Sequence, residues 1–373
     1  MSWFKAFFLD EQVYIEGRQY RCNEILTACL DLPAEKLEDF LTRLWRLVQR
    51  VHLSGGSTEE LRYFLGCVRQ TQDLFDEIGA LAAQLPLFRH GELARGLSTP
   101  CLPALLDGLC AGDGRKPKKI EDSSFQSNFY YFRIGAILTG MSAARAAAWL
   151  NELNLGIAGL LEHYILLTGD ILQARRSYCA VLDGYIHKKR AFPAGDELAG
   201  CFARYISDSA QEGGPEMLPT HCRVRSSYEL LSLEDGQTRL CLACDFDRLR
   251  DFFYIDFFHG LARSYLPRRC DNCGQYFLLT AGKYSSYCER PLPDEPGKTC
   301  RSIGAKRRYG SKCKNDPVWQ IYNRAYKTHY ARYMKGKITA PEFEIWSRYA
   351  VSLREQAADG TLGLEQYQRL IKE

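Results

Sequence analysis

The sequence predicts an α-rich α+β protein. A helical N-terminal region with small β-hairpins is followed by a C-terminal four-cysteine zinc finger (knuckle, hairpin, helix) and closing helices. Three observations lead there. Apolar residues recur at three- and four-residue steps through much of the 373-residue chain. Two pairs of β-former runs flank turn residues. Four Cys lie between positions 270 and 300, opening on a Cys-x2-Cys pair followed by Gly274.

Taken in order, QVYIE and QYRC flank Gly17-Arg18 and predict a hairpin. A helix follows in PAEKLEDFLTRLWRLVQRV, with Leu37, Phe40, Leu44, Leu47 and Val51 on one face. The next begins at Ser57 and Glu60, a capping-box spacing, and buries Leu61, Phe64, Val68, Phe75, Ile78 and Ala82. Residues 111–124 read as a charged loop with no phosphate-binding GK[ST] pattern. Helices are expected from about 128 to 188 and again in FPAGDELAGCFARYIS. QEGGPEML breaks the pattern and marks a boundary at 211. SYELLSL and TRLCLACDF then flank EDGQ, a hairpin signal with Asp-Gly in the turn. DRLRDFFYIDFFHGLARSYL predicts a buried helix capped by Asp247. Trp319, Tyr322, Tyr326, Tyr330 and Tyr333 share one helical face, read as packed, with Lys327, Arg332 and Lys335 in reach of phosphates. The last helix starts with Thr339 and Glu342 in capping-box spacing and Pro341 in the first turn. Its core stripe is Phe343, Trp346, Ala350, Leu353 and Ala357. The expected regions are 1–210, 211–266, 267–314 and 315–373.

MSWFKAFFLDEQ has acids where a signal peptide continues its apolar run, so a cytoplasmic location is expected. No stretch reaches the roughly 18 uncharged apolar residues of a membrane span, and no membrane partner is expected. Of 15 Cys, ten lie before position 270, and several of these sit in apolar helical patterns, where the reduced side chain packs as a small apolar group. Oligomeric state is not encoded in any pattern here.

Cys270, Cys273, Cys288 and Cys300 form Cys-x2-Cys-x14-Cys-x11-Cys. Two residues between thiolates let both sulfurs reach one ion from a tight turn, and Gly274 supplies the left-handed backbone of such a knuckle. YFLLT and KYSSYC are expected as two strands joined at AGK, with a helix starting near Thr299 or Cys300. Four thiolates fill the tetrahedral shell of Zn2+, so the cofactor is expected to be structural. Cys313 is the alternative fourth ligand, because RPLPDEPGK is a long insert before Cys300. Cys241 and Cys244 share the spacing but sit in a strand, where it points them to opposite faces.

This segment, CDNCGQYFLLTAGKYSSYCER with TCRSIGAKRRY, resembles the CGNR-type zinc finger at the C-terminus of bacterial proteins regarded as transcriptional regulators. The string CGNR itself is absent, and the third-to-fourth spacing is longer. The whole chain looks like a bacterial family of unknown function that shares this finger. The resemblance implies the four Cys as ligands and DNA as a partner by analogy.

Charge points the same way. Residues 261–337 hold 17 Lys and Arg against 5 Asp and Glu, while the chain as a whole carries only +4. A cationic segment of this kind suits a polyanion. Arg301, Lys306, Arg307, Arg308, Lys312 and Lys314 are the expected nucleic-acid contacts, with Arg301, Lys306 and Arg308 on neighbouring helical faces. The expectation is a zinc-finger protein binding nucleic acid as a DNA-binding regulator. One alternative is a zinc-stabilised protein-interaction scaffold. The other is a nucleic-acid-processing enzyme whose active site is assembled from distant acids; Asp245, Asp247 and Asp251 are close in sequence, but Asp247 is read as the cap of the helix. No catalytic motif occurs, and no catalysis is expected.

Overall fold

A computed structural model describes residues 3–54, 57–98, 101–111, 127–187, 195–211, 213–214, 216–218, 222–280, 284–293 and 295–372. The charged loop expected at 111–124 and the AGK turn lie almost wholly or wholly outside these residues. The chain forms two compact units, residues 1–270 with 274–286 and residues 271–273 with 287–373. The expected regions 1–210 and 211–266 fall within the first.

The first unit opens with three strands, β1 (Phe4–Leu9), β2 (Gln12–Ile15) and β3 (Arg18–Arg21). The β2–β3 pairing runs Ile15 to Arg18. The turn is therefore Glu16-Gly17, one residue before the expected pair, and both have positive φ, 50° and 73°. That sign pattern matches the twist of the flanking strands. Helices α1 (Glu24–Leu30), α2 (Ala34–Val48) and α3 (Thr58–Ala82) follow. The Ser57 hydroxyl accepts from the Glu60 amide at 3.2 Å, as the capping spacing predicts. Every apolar residue expected on the inner faces of α2 and α3 is buried, although α2 ends at Val48 and Val51 lies beyond it. After a 3-10 turn at Pro86–Phe88 come α4 (Gly91–Ser98), α5 (Cys101–Ala111) and α6 (Ser127–Thr139). Helix α7 (Ala143–Val181) ends in a π-helical turn, Leu182–Ile186, and α8 spans Gly195–Ser209.

Strands β4 (Arg225–Ser232) and β5 (Thr238–Phe246) form the hairpin expected around EDGQ, with Gly236 at φ 80°. Strand β5 also pairs with β1, from Phe4 opposite Phe246 to Phe8 opposite Leu242. The sheet order is β3-β2-β1-β5-β4. Helix α9 (Leu249–Leu261) packs Phe252 against it: Phe4, Phe246 and Phe252 have ring centroids 5.4 to 5.6 Å apart. Arg248 stands at the N-cap of α9 instead of Asp247. Its guanidinium donates through Nε to the buried Asp170 carboxylate of α7 at 3.0 Å, so a fork-shaped ion pair fixes this end. Helix α7 with its π turn is the one helix among the described residues long and apolar enough to cross a membrane. Leu153, Ile157, Leu161, Tyr164, Leu167 and Ile171 on it belong to the buried core of this unit. A last ribbon, β6 (Leu266–Arg269) with β7 (Tyr276–Leu279), anchors in the same core through Leu266 and Tyr276.

The second unit holds the ribbon β8 (Pro291–Leu292) and β9 (Glu295–Thr299), then α10 (Cys300–Asn315), α11 (Pro317–Met334), α12 (Ala340–Ala358) and α13 (Leu364–Leu370). The aromatic stripe of α11 packs on α12. Tyr326 and Tyr333 lie 5.7 and 5.3 Å from Phe343, and His329 stacks on Trp346 at 3.8 Å. The Thr339–Glu342 capping box is complete.

Candidate metal centre

The knuckle is the turn of the β6–β7 ribbon. Arg269 pairs with Tyr276, and the residues between them fold back on themselves. The Cys270 amide donates to the Gln275 carbonyl at 2.9 Å, and the Gly274 amide to the Cys270 carbonyl at 3.0 Å. Gly274 sits at φ 74° with nothing within 4 Å of where a Cβ would stand. The need for Gly is thus conformational, worth about 1–2 kcal/mol for an L residue. The Tyr276 amide donates to Asp31 at 2.7 Å and its hydroxyl to Asp183 at 2.6 Å. Burial, first of all, pushes that hydroxyl's pKa far up.

The expected pairing of YFLLT with KYSSYC is corrected. YFLL pairs with LPRR before the knuckle, and Tyr284–Cys288 is not a strand. The bond from the Cys270 amide to the Gln275 carbonyl continues the β6–β7 ladder into the knuckle, so the turn and the strand pair form one unit. The insert before Cys300 is itself a ribbon. Pro291 pairs with Thr299, and the Cys300 amide donates to the Arg290 carbonyl at 3.0 Å. The extra residues therefore return the chain beside Cys288. Cys300 is the first residue of α10. Gly304 lets α10 approach the Tyr287 ring so closely that a Cβ would collide with it.

The four Sγ atoms of Cys270, Cys273, Cys288 and Cys300 lie within 4.8 Å of one another. Three of these side chains are buried and Cys273 is exposed. Cys273 and Cys288 are 3.7 Å apart at sulfur. A disulfide needs about 2.05 Å. A tetrahedron with metal–sulfur bonds of about 2.3 Å has edges of about 3.8 Å. The separation therefore fits two ligands of one ion. The Asn272 amide group donates to Cys300 Sγ at 3.3 Å, an outer contact of the kind that orients a thiolate ligand. The cluster could hold a soft or borderline metal ion. The Cys313 side chain lies outside the described residues. Cys241 and Cys244 sit buried in β5, and burial pushes the Cys244 thiol up to about 11.

Of the basic residues, Arg301 pairs with Glu289 at 2.6 Å, Arg307 with Glu295 at 2.6 Å and Arg308 with Asp271 at 3.2 Å. Lys306 and Lys314 are exposed and have no acid partner among the described residues. The Lys312 side chain lies outside those residues. Arg301 and Arg308, seven residues apart, share a face of α10. Lys306 stands about 140° round at 3.6 residues per turn, so the three do not form one stripe. Asn272 and Gly304 were missed from the sequence. An Asn inside a Cys pair and a Gly inside a helix carry no signal until the partner atoms are in place.

Residues 217–370, from before β4 to the end of α13, match a protein family described as a family of unknown function, DUF6076. That description names no zinc finger and no activity. Comparison with curated proteins gave no match. Comparison with solved structures gave none either. The C-terminal part of this chain, four-cysteine cluster included, is thus similar to a family of unknown function.

Proposed function

We propose that Cys270, Cys273, Cys288 and Cys300 hold Zn2+ as a structural site, and that the basic helices following it bind nucleic acid, with a DNA-binding regulator as the specific form. The observation that carries this reading is the four-thiol cluster placed at the start of a cationic helix. Bound zinc would supply a cross-link between segments far apart in the chain. Four thiolates leave no open position, so no bond is made or broken there. Lys306 and Lys314 are free to meet phosphates. Arg301, Arg307 and Arg308 are held in exposed ion pairs, which are weak enough for a phosphate to displace the carboxylate. Charge concentration and the CGNR-type resemblance support DNA. A second reading, an interaction module that binds an acidic protein, draws on the same three pairs: acids already occupy these arginines.

Purified, chelator-free protein is expected to contain one zinc per chain by elemental analysis. Less than about half an equivalent overturns the zinc assignment. Titration with labelled duplex at rising salt is expected to give a linear log–log loss of affinity, about 0.9 per phosphate contacted. The double variant Lys306→Glu, Lys314→Glu should weaken binding roughly tenfold or more. Absence of binding at low salt removes the nucleic-acid reading, and capture of an acidic protein instead selects the second.

A further inference from the structure

A cavity of about 260 Å³ lies in the second unit, lined by α11 and α13. Arg324, Thr328 and Arg332 repeat every four residues along one side of it, and Gln368 and Lys372 come from the other. Three cations thus converge, and none of the described lining residues is an acid. Arg324, Arg332 and Lys372 are exposed, and no ion pair joins any of them to an acid among the described residues. Ile321, Ala325 and Ile371 give the same cavity an apolar wall.

His329 supplies a second, independent observation. Its side chain is 95% buried, at a relative exposure of 5%. The ring lies against Trp346, 3.8 Å between centroids and nearly parallel. Nδ1 bonds the Ala325 carbonyl at 3.1 Å, so Nδ1 carries the proton there and Nε2 is left for the cavity it lines. The ring is thus fixed by its stacking and by its one hydrogen bond.

We propose that this cavity binds a phosphate monoester with a small planar or apolar body. Three cations with two forked guanidiniums among them suit a dianion better than a single carboxylate. Thr328 and Gln368 can complete the hydrogen bonds to its oxygens, while Nε2 of His329, an acceptor in this tautomer, suits an N–H or hydroxyl of the body. The volume stands just below the range of small-molecule sites, about 300–1,000 Å³, which limits the body to roughly one ring system. The site is separate from the proposed contacts of Lys306 and Lys314 and does not rest on that reading.

The test is calorimetric titration of the full-length protein at low salt with phenyl phosphate and adenosine 5′-monophosphate, each beside its uncharged counterpart, phenol and adenosine. At least one ester is expected to bind with Kd below about 1 mM, roughly tenfold or more tighter than its counterpart. Arg324→Glu with Arg332→Glu should abolish this binding, with an unchanged melting temperature showing that the fold survives. His329→Gln is a milder variant expected to weaken it several-fold. The proposal is overturned if neither ester binds at about 5 mM, if ester and counterpart bind alike, or if the double variant binds as the parent does. A 5′-phosphorylated oligonucleotide and its 5′-hydroxyl form distinguish the source of the group. Displacement of the ester by the phosphorylated strand alone assigns it to a nucleic-acid end, and displacement by neither assigns it to a free small molecule.

Discussion

At Cys300 two distant facts meet: a backbone amide held by Arg290 and a sulfur held by Asn272. A ligand fixed from both sides is the one whose removal should cost most. Cys300→Ser is expected to lose zinc retention on gel filtration with a mild chelator, while Cys313→Ser keeps it. Retention in the first variant would reassign the fourth ligand. Asp256 makes a different prediction. It is buried, and its carboxylate accepts from the Asn23 amide at 3.0 and 3.1 Å, on both oxygens. Burial outweighs that bonding and lifts its pKa to about 7. The folded state then holds a proton that the unfolded chain, with a carboxyl near 3.9, gives up. Its stabilising effect is complete below about pH 4 and is lost as pH rises through about 7. Asp256→Asn mimics the protonated form. Its melting temperature relative to the parent should therefore rise between pH 5 and pH 8, and a flat difference contradicts the buried-acid assignment. His187 runs the other way: burial lowers it to about 4, so its protonation opposes folding as pH falls through that region.

Among the elements, α10 shows how much a single close approach can matter. Ala forms helix better than Gly by about 1 kcal/mol. Gly304→Ala should therefore strengthen the isolated helix. Yet the added Cβ meets the Tyr287 ring, and Tyr287 immediately precedes Cys288. The expected outcome is zinc affinity lowered by about 10- to 100-fold in competition with a chromophoric chelator, with helix content unchanged. Unaltered affinity would show that Tyr287 yields without moving the ligand. Helices α2, α3 and α12 were legible because their signals are local, whereas α1, α4, α5 and α13 were not expected. Thr339 and Glu342, or Leu61, Phe64 and Val68, state their helix without reference to any other part of the chain. The YFLL strand was legible as a strand, but its partner was not, because a strand's hydrogen bonds can be satisfied by either neighbour.

For the whole molecule, charge is distributed in a way that residue-level reading only half resolves. The surplus of 12 positive charges in residues 261–337 is visible in sequence. The acids that meet it are less so: Glu289, Glu295 and Asp271 are 12, 12 and 37 positions from their arginines. Long-range binding to a polyanion depends on the net field, so its salt dependence should survive loss of any one arginine. A single Arg307→Ala substitution is expected to change duplex affinity less than Lys306→Glu with Lys314→Glu. The sheet teaches the same lesson. The β2–β3 and β4–β5 hairpins announce themselves by their turns, yet the pairing of β1 with β5 joins Phe4 to Phe246, and no pattern in either strand names the other.

By itself, then, the amino-acid order determined most of the long helices, two of the hairpins, the knuckle with Gly274, and the four cysteines as a set, since each depends on spacing within a few tens of residues. Only the tertiary structure decided which strands pair, which arginines are already held by carboxylates, and that Arg324, Arg332 and Lys372 face one cavity with His329. Those outcomes depend on distances between residues that the chain brings together only after its local elements have packed.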